Sequence, residues 1–141
     1  MRKCFLFSAF IFITALWGCN KSENKPGAQQ PGIQGKWNIQ KEYDHQFYTG
    51  YDTYDTIIGE AGDYFDFRDD GKAYYKAGTE KDTSIYTLFG SDKIITASID
   101  PDIHTTDTIL IQSFTDNSMQ LYSRSYDPYP EYSEYTIYLT K

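Results

Sequence analysis

The chain has 141 residues, too few for more than one ordinary domain, and carries 20 acidic against 13 basic side chains for a formal charge of -7. An acidic surface of this kind repels nucleic acid and anionic lipid headgroups, which argues against polyanion binding. With 40% apolar residues, 18% aromatic residues and 14 tyrosines, the chain is also too rich in adhesive side chains to stay a disordered tail, so it folds.

Met1-Arg2-Lys3 is a positively charged start, and Phe5 to Leu16 is an uncharged apolar run that ends at Trp17-Gly18-Cys19. This is the layout of a signal peptide over residues 1–18. The run falls short of the roughly 20 residues that a spanning helix needs, so a permanent transmembrane anchor is the weaker reading. Loss of the segment removes Arg2 and Lys3 and takes the charge to -9. Leu16-Trp17-Gly18-Cys19 resembles the lipobox of bacterial lipoproteins, with Leu three positions before the Cys and a small residue just before it.

The resemblance implies that Cys19 becomes the first mature residue and carries a thioether-linked diacylglycerol and an amide-linked acyl chain such as palmitate. Two or more acyl chains hold a protein on a bilayer durably. The alternative is cleavage by the ordinary secretory peptidase, which leaves Cys19 or a nearby residue as a stray thiol. In either case Cys4 leaves with the signal, and the folded part has no cysteine for a disulfide, a thiolate metal site or a nucleophile. Residues 19–32 then form a flexible tether, with two Pro-Gly pairs and no large apolar side chain. Lys21 and Glu23 loosely resemble the charged signals that send some lipoproteins to the cell surface. The expected address is the cell envelope, as an outer-membrane lipoprotein on the periplasmic face or the surface, and the expected state is a monomer.

From residue 33 to 141 the dominant pattern has period two, which places successive side chains on opposite faces of a strand. Trp37, Ile39 and Tyr43 alternate with Lys36, Asn38, Gln40, Glu42 and Asp44, giving the first strand one apolar and one wet face. Asp44 to Asp63 then reads as a long loop, in which Tyr51-Asp52-Thr53 repeats as Tyr54-Asp55-Thr56. Tyr64–Arg68 and Ala73–Lys76 flank Asp69-Asp70-Gly71, a tight turn. Ser84–Phe89 and Lys93–Ser98 flank Gly90-Ser91-Asp92, and Thr106–Phe114 and Met119–Ser125 flank Thr115-Asp116-Asn117-Ser118. Glu134–Thr140 closes the series, with Tyr135, Ile137 and Leu139 on one face. The chain is therefore all-β, with eight strands in an antiparallel up-and-down meander. Eight strands is the number at which a closed barrel can just hold one small ligand, and closure removes the exposed edges. A two-sheet β-sandwich is the alternative.

Gly35-Lys36-Trp37 at the start of the first strand, the hairpin at Phe67 to Gly71 and the strand that ends the chain together resemble the lipocalin-like domain of small bacterial envelope lipoproteins. The resemblance implies a barrel with Trp37 at its closed end, under a cavity covered by the long first loop. The chain is short for a lipocalin and has no carboxy-terminal helix, so the implied barrel is reduced.

Tyr48, Tyr51 and Tyr54, with Phe47, Asp52 and Asp55, give that loop the chemistry of a mouth that stacks on a ring or sugar while hydroxyls and carboxylates hydrogen-bond it. The simpler alternative is that they pack the loop onto the barrel. A second group, Tyr126, Tyr129, Tyr132 and Tyr135 around Pro128 and Pro130, reads as a stiff turn. No metal or other cofactor is expected. Asp66, Asp69, Asp70, Asp100 and Asp102 lack the spacing of a calcium loop, and His45 and His104 have no second His or Cys nearby. Catalysis is not expected either, since no elbow serine, metalloprotease helix or phosphate loop is present. Two functions remain. In one, the barrel binds a small apolar or aromatic ligand, with Trp37, Tyr48, Tyr51 and Tyr54 as candidate contacts. In the other, the interior is solid and Tyr-rich loops grip an envelope protein or glycan. The size of the cavity separates them.

Overall fold

A computed structural model describes residues 32–103, 105–126 and 130–141. The signal segment, Cys19, residues 20–31 of the tether, His104, Pro128 and Tyr129 lie outside the described residues.

Among the described residues nine strands form one antiparallel sheet: β1 (Gly35–Tyr48), β2 (Tyr51–Ile58), β3 (Tyr64–Phe67), β4 (Lys72–Ala77), β5 (Glu80–Phe89), β6 (Lys93–Ser98), β7 (Thr106–Phe114), β8 (Ser118–Tyr126) and β9 (Tyr132–Thr140). β3 to β9 pair in chain order, β3 pairs with β1, and β9 returns to β1 from Asn38↔Thr140 to Phe47↔Tyr132. The result is a closed eight-stranded up-and-down barrel with β2 as an additional strand, not a sandwich. The three turns read from the sequence join β3 to β4, β5 to β6 and β7 to β8, with Gly71 and Gly90 at positive φ as tight turns require.

The expected loop from Asp44 to Asp63 is corrected by the structure. β1 continues to Tyr48, turns through Thr49 and Gly50, whose φ is +109°, and returns as β2 in continuous register from Tyr48↔Tyr51 to Lys41↔Ile58. Because both strands are antiparallel to β1 along one edge, β2 and β3 are two halves of a broken strand. The break at Gly59–Asp63 is tied at both sides: Gly59 N donates to Gln40 O at 3.0 Å and Ile39 N to Asp63 O at 3.1 Å.

The assignment of one apolar face to the whole of β1 is also corrected. The β1–β9 register shifts between Ile39 and Lys41, leaving Gln40 as a bulge, and an odd insertion exchanges the two faces of a strand. Trp37 and Ile39 point inward before it. After it Glu42 and Asp44 point inward, while Tyr43 turns out and is 39% exposed.

The core fills only one end of the barrel. Ile33, Trp37, Phe67, Tyr86, Ile94, Met119, Leu121 and Leu139 are buried, and they sit at the start of β1, β6 and β8 and the end of β3, β5 and β9. Each such burial contributes about 1.5–3 kcal/mol. Trp37, wholly inaccessible, is the central plug. Its indole Nε1 donates to Ile33 O at 2.6 Å, Phe114 meets it edge-on at 5.9 Å, and Lys141 Nζ lies 4.4 Å from its ring centre. Trp37→Ala is expected to remove about 3–5 kcal/mol of stability. Trp37→Phe, which keeps a ring but leaves the Ile33 carbonyl unpaired, is expected to cost about 1–3 kcal/mol. Urea denaturation checks the order, and a Phe variant as stable as the native chain would remove the hydrogen bond from this account.

Candidate functional site

The open half of the barrel is hollow. A cavity of about 330 Å³ is lined from all eight barrel strands, with Glu42 on β1, Phe65 on β3, Tyr75 on β4, Asp82 and Ser84 on β5, Thr96 on β6, Asp107 and Ile109 on β7, Ser123 and Ser125 on β8, and Tyr135 and Ile137 on β9. A second cleft of about 460 Å³ lies beside it, because β4 pairs with β3 but β2 pairs only with β1, so the seam between β2 and the β4–β5 hairpin is open. Ile57, Ile58 and Ala77 line it together with Glu42, Asp44, Glu60, Asp63 and Glu80. Glu42, Tyr75 and Tyr135 belong to both spaces. Both volumes fall in the range of small-molecule sites.

The interior is electrostatically negative. Burial pushes the Glu42 carboxyl above its ordinary range, and the neighbouring charges of Asp44 and Glu80 add to that. Burial and then Glu42, Glu80 and Asp63 push the Tyr75 hydroxyl up to about 12. Asp44 accepts from Gln46 Nε2 at 2.9 Å through one oxygen, while its Oδ1, sealed from solvent, has no hydrogen-bond partner. Asp63 differs. It accepts from the backbone N–H groups of Glu60 and Gly78, both at 2.8 Å, which hold its carboxyl below the usual range, and Lys76 Nζ stands 3.5 Å away. Asp63 therefore knots the β2–β3 break to the β4–β5 turn and is structural. Among the described residues no three His, Cys, Asp or Glu side chains are grouped to hold a metal ion.

The outer face of the same strands carries a different constellation. The bulge turns His45 outward, where Nδ1 lies 3.0 Å from Glu134 Oε2 on β9 and Nε2 lies 3.2 Å from Asp52 Oδ1 on β2. Tyr54 stacks on the imidazole at 4.2 Å and Tyr132 meets it edge-on at 5.5 Å. A neutral imidazole has one N–H and can serve only one carboxylate, whereas an imidazolium serves both. The hydrogen bonds to Glu134 and then Asp52 accordingly raise the His45 pKa. Burial opposes ionisation of Glu134, but hydrogen bonds from Tyr122, His45 and Arg124 together outweigh it and hold that carboxyl below its ordinary value.

The four candidate contacts do not converge. Trp37 is in the plug, outside the lining of either space. Tyr48 and Tyr51 stack at 5.2 Å near the tip of the β1–β2 hairpin, and Tyr54 is on the outer face, 74% exposed. Of the second tyrosine group, Tyr135 lines both spaces, while Tyr126 and Tyr132 join the outer aromatic cluster. Sequence reasoning missed Glu42, Asp44, Tyr75 and the role of His45, because each depends on the bulge or on a partner strand. Asp70 caps the β3–β4 turn at Lys72 N, 3.0 Å, and Asp100 accepts from Asp102 N at 2.9 Å, so these acids are turn residues. No known protein family, curated protein or solved structure matches the chain.

His45 makes stability depend on pH with a definite sign. Its folded pKa is raised, so its contribution is full below the unfolded value of about 6.5 and is lost as pH rises through the folded value. Comparison of melting temperatures between about pH 6 and pH 9 is expected to show the native chain losing stability that His45→Gln does not lose. Parallel curves for the two proteins would sink the double-carboxylate clamp.

Proposed function

We propose that this chain is a lipid-anchored envelope protein of the lipocalin-like kind, whose barrel binds one small aromatic ligand at its open end. The observation that carries the reading is the cavity itself. All eight barrel strands line it, and aromatic walls alternate with hydroxyls and carboxylates, the arrangement in which apolar surface supplies affinity and a few polar groups fix orientation. The same lining narrows the ligand from a pure hydrocarbon to a ring that also makes hydrogen bonds. Ser123→Phe, which fills the cavity from β8, is expected to abolish a stoichiometric small-molecule adduct that native mass spectrometry detects after exposure to an envelope extract. An adduct retained by that variant would place the ligand elsewhere.

The alternative, a protein or glycan held on the outside, is favoured by one observation: Tyr54 presents a largely exposed ring backed by His45. Tyr54→Ala would then abolish binding where Ser123→Phe would not.

Cys19 is the proposed site of lipidation, and the anchor places the barrel at the outer membrane, on its periplasmic face or at the surface, beyond the tether of residues 19–32. Mass spectrometry of the native amino terminus is expected to find Cys19 first and acylated. An unacylated terminus would remove the anchor.

A further inference from the structure

The barrel interior and the side cleft share Glu42, Tyr75 and Tyr135, so the two spaces lie side by side on a common wall. The charge along its walls is one-sided. Among the described residues, Glu42, Asp44, Glu80, Asp82 and Asp107 take part in no ion pair, and Lys76, on the same strand as Tyr75, is engaged by Asp63 and by the Gly62 carbonyl at 3.2 Å. Arg124 also borders the cavity from β8, and its guanidinium is held by Glu134 on the outer face. Glu42 and Asp44 are half-buried, whereas Glu80, Asp82 and Asp107 are exposed; a half-buried carboxylate without counter-charge is costly, and a ligand that brings positive charge and N–H donors relieves that cost.

A second feature points the same way. Asp44 Oδ1 is a buried acceptor with no donor, in a side chain that lines the cleft. No donor offsets the charge at that oxygen, so Asp44 adds to the negative field along the cleft. The rings supply the remaining selectivity: Phe65, Tyr75 and Tyr135 stand in the wall beside Glu42, and an ammonium is attracted both by aromatic faces and by carboxylates. A compact metal ion is a poorer fit, because the carboxylates are spread around the wall and no three are grouped as ligands among the described residues.

We infer that the ligand of this cavity is an organic cation, an aromatic or aliphatic amine whose ammonium group lies against Glu42 and Asp44 while its apolar body lies between Tyr75 and Tyr135. This rests on the cavity reading above and adds the charge of the ligand to it.

The test uses the full lipidated protein in nanodiscs and three probes of similar size: 2-phenylethylammonium, the neutral 2-phenylethanol and the anion phenylacetate, with binding followed by calorimetry against empty nanodiscs. The ammonium is expected to bind at one site about tenfold or more tighter than the alcohol, with phenylacetate weaker still. Glu42→Gln combined with Asp44→Asn is expected to erase the difference between ammonium and alcohol. Asp69→Asn, in the exposed turn at the closed end, is expected to leave it intact and so excludes general attraction to an acidic protein. Equal affinity for ammonium and alcohol would overturn the inference while leaving the cavity reading in place. Failure of all three probes to bind would also overturn it, and the adduct experiment with Ser123→Phe would then decide the cavity reading separately. If the double variant fails to fold, Glu42→Gln alone, with the circular dichroism of the native chain, is expected to weaken the ammonium and not the alcohol.

Discussion

One surplus residue in β1 determines what the barrel contains. Side chains on a strand alternate between its faces, so the unpaired Gln40 exchanges inside and outside for everything that follows it. Had the first register continued, Tyr43, His45 and Phe47 would have filled the open half with rings, and the barrel would be solid from end to end. With the bulge, those rings lie outside and Glu42 and Asp44 lie inside, where they cannot pack tightly. The neighbouring edge absorbs the same irregularity. Ile39 and Gln40 face the five residues 59–63 between the two registers of β1, and the chain can pass so close only because residue 59 is Gly. A Cβ there would lie 2.1 Å from the Ile39 carbonyl oxygen.

The two halves of the barrel are consequently stabilised by different physics. At the closed half, Trp37 and its neighbours remove large apolar side chains from water and the indole satisfies the one backbone carbonyl it covers. At the open half, little apolar area is buried, and local order comes from backbone pairing and a few polar ties, such as Asp63 bound to Glu60 and Gly78. The β1–β2 hairpin is the extreme case. Every residue of β2 is exposed and the strand is paired on one side only, so beyond β1 it depends on the contacts of its outer face, above all Asp52 and Tyr54 with His45. Stability is therefore graded along the barrel axis, and the region that would admit a ligand lies where opening is easiest.

The legible and illegible parts of the sequence follow from the same geometry. β3 to β9 could be read because their turns carry Asp, Asn and Gly in tight spacing and their strands keep period two, as in Tyr135, Ile137 and Leu139. Trp37 and Ile39, read as the apolar face of the first strand, are both buried. β2 was hidden because Tyr51-Asp52-Thr53-Tyr54-Asp55-Thr56 repeats every three residues. That repeat puts Tyr51 on one face beside Tyr48 and Tyr54 on the other beside His45, and a period of two never emerges. The bulge had no signal at all, since Gln40 differs in no visible way from the polar residues around it. The candidate site was lost with it: Glu42 and Asp44 read as a wet outer face, and His45 as a lone histidine whose partner Glu134 lies 89 positions away.

The arrangement also separates charge across the thickness of one strand. On the outer face of β1 and its neighbours, the cations are already satisfied: His45 lies between two carboxylates, Arg124 lies against Glu134 and over the ring of Tyr132, and Lys41 lies over the rings of Tyr43 and Tyr138. On the inner face of the same strand, one residue away, Glu42 and Asp44 have no such partner. The outer cations are committed to carboxylates and rings on their own face, so none of them forms a direct ion pair with the inner carboxylates. Moving Arg124 or His45 inward would require their strands to exchange faces, which a closed barrel of fixed register does not allow. Within the fixed register, Glu42 and Asp44 therefore have no cation of their own strands to pair with.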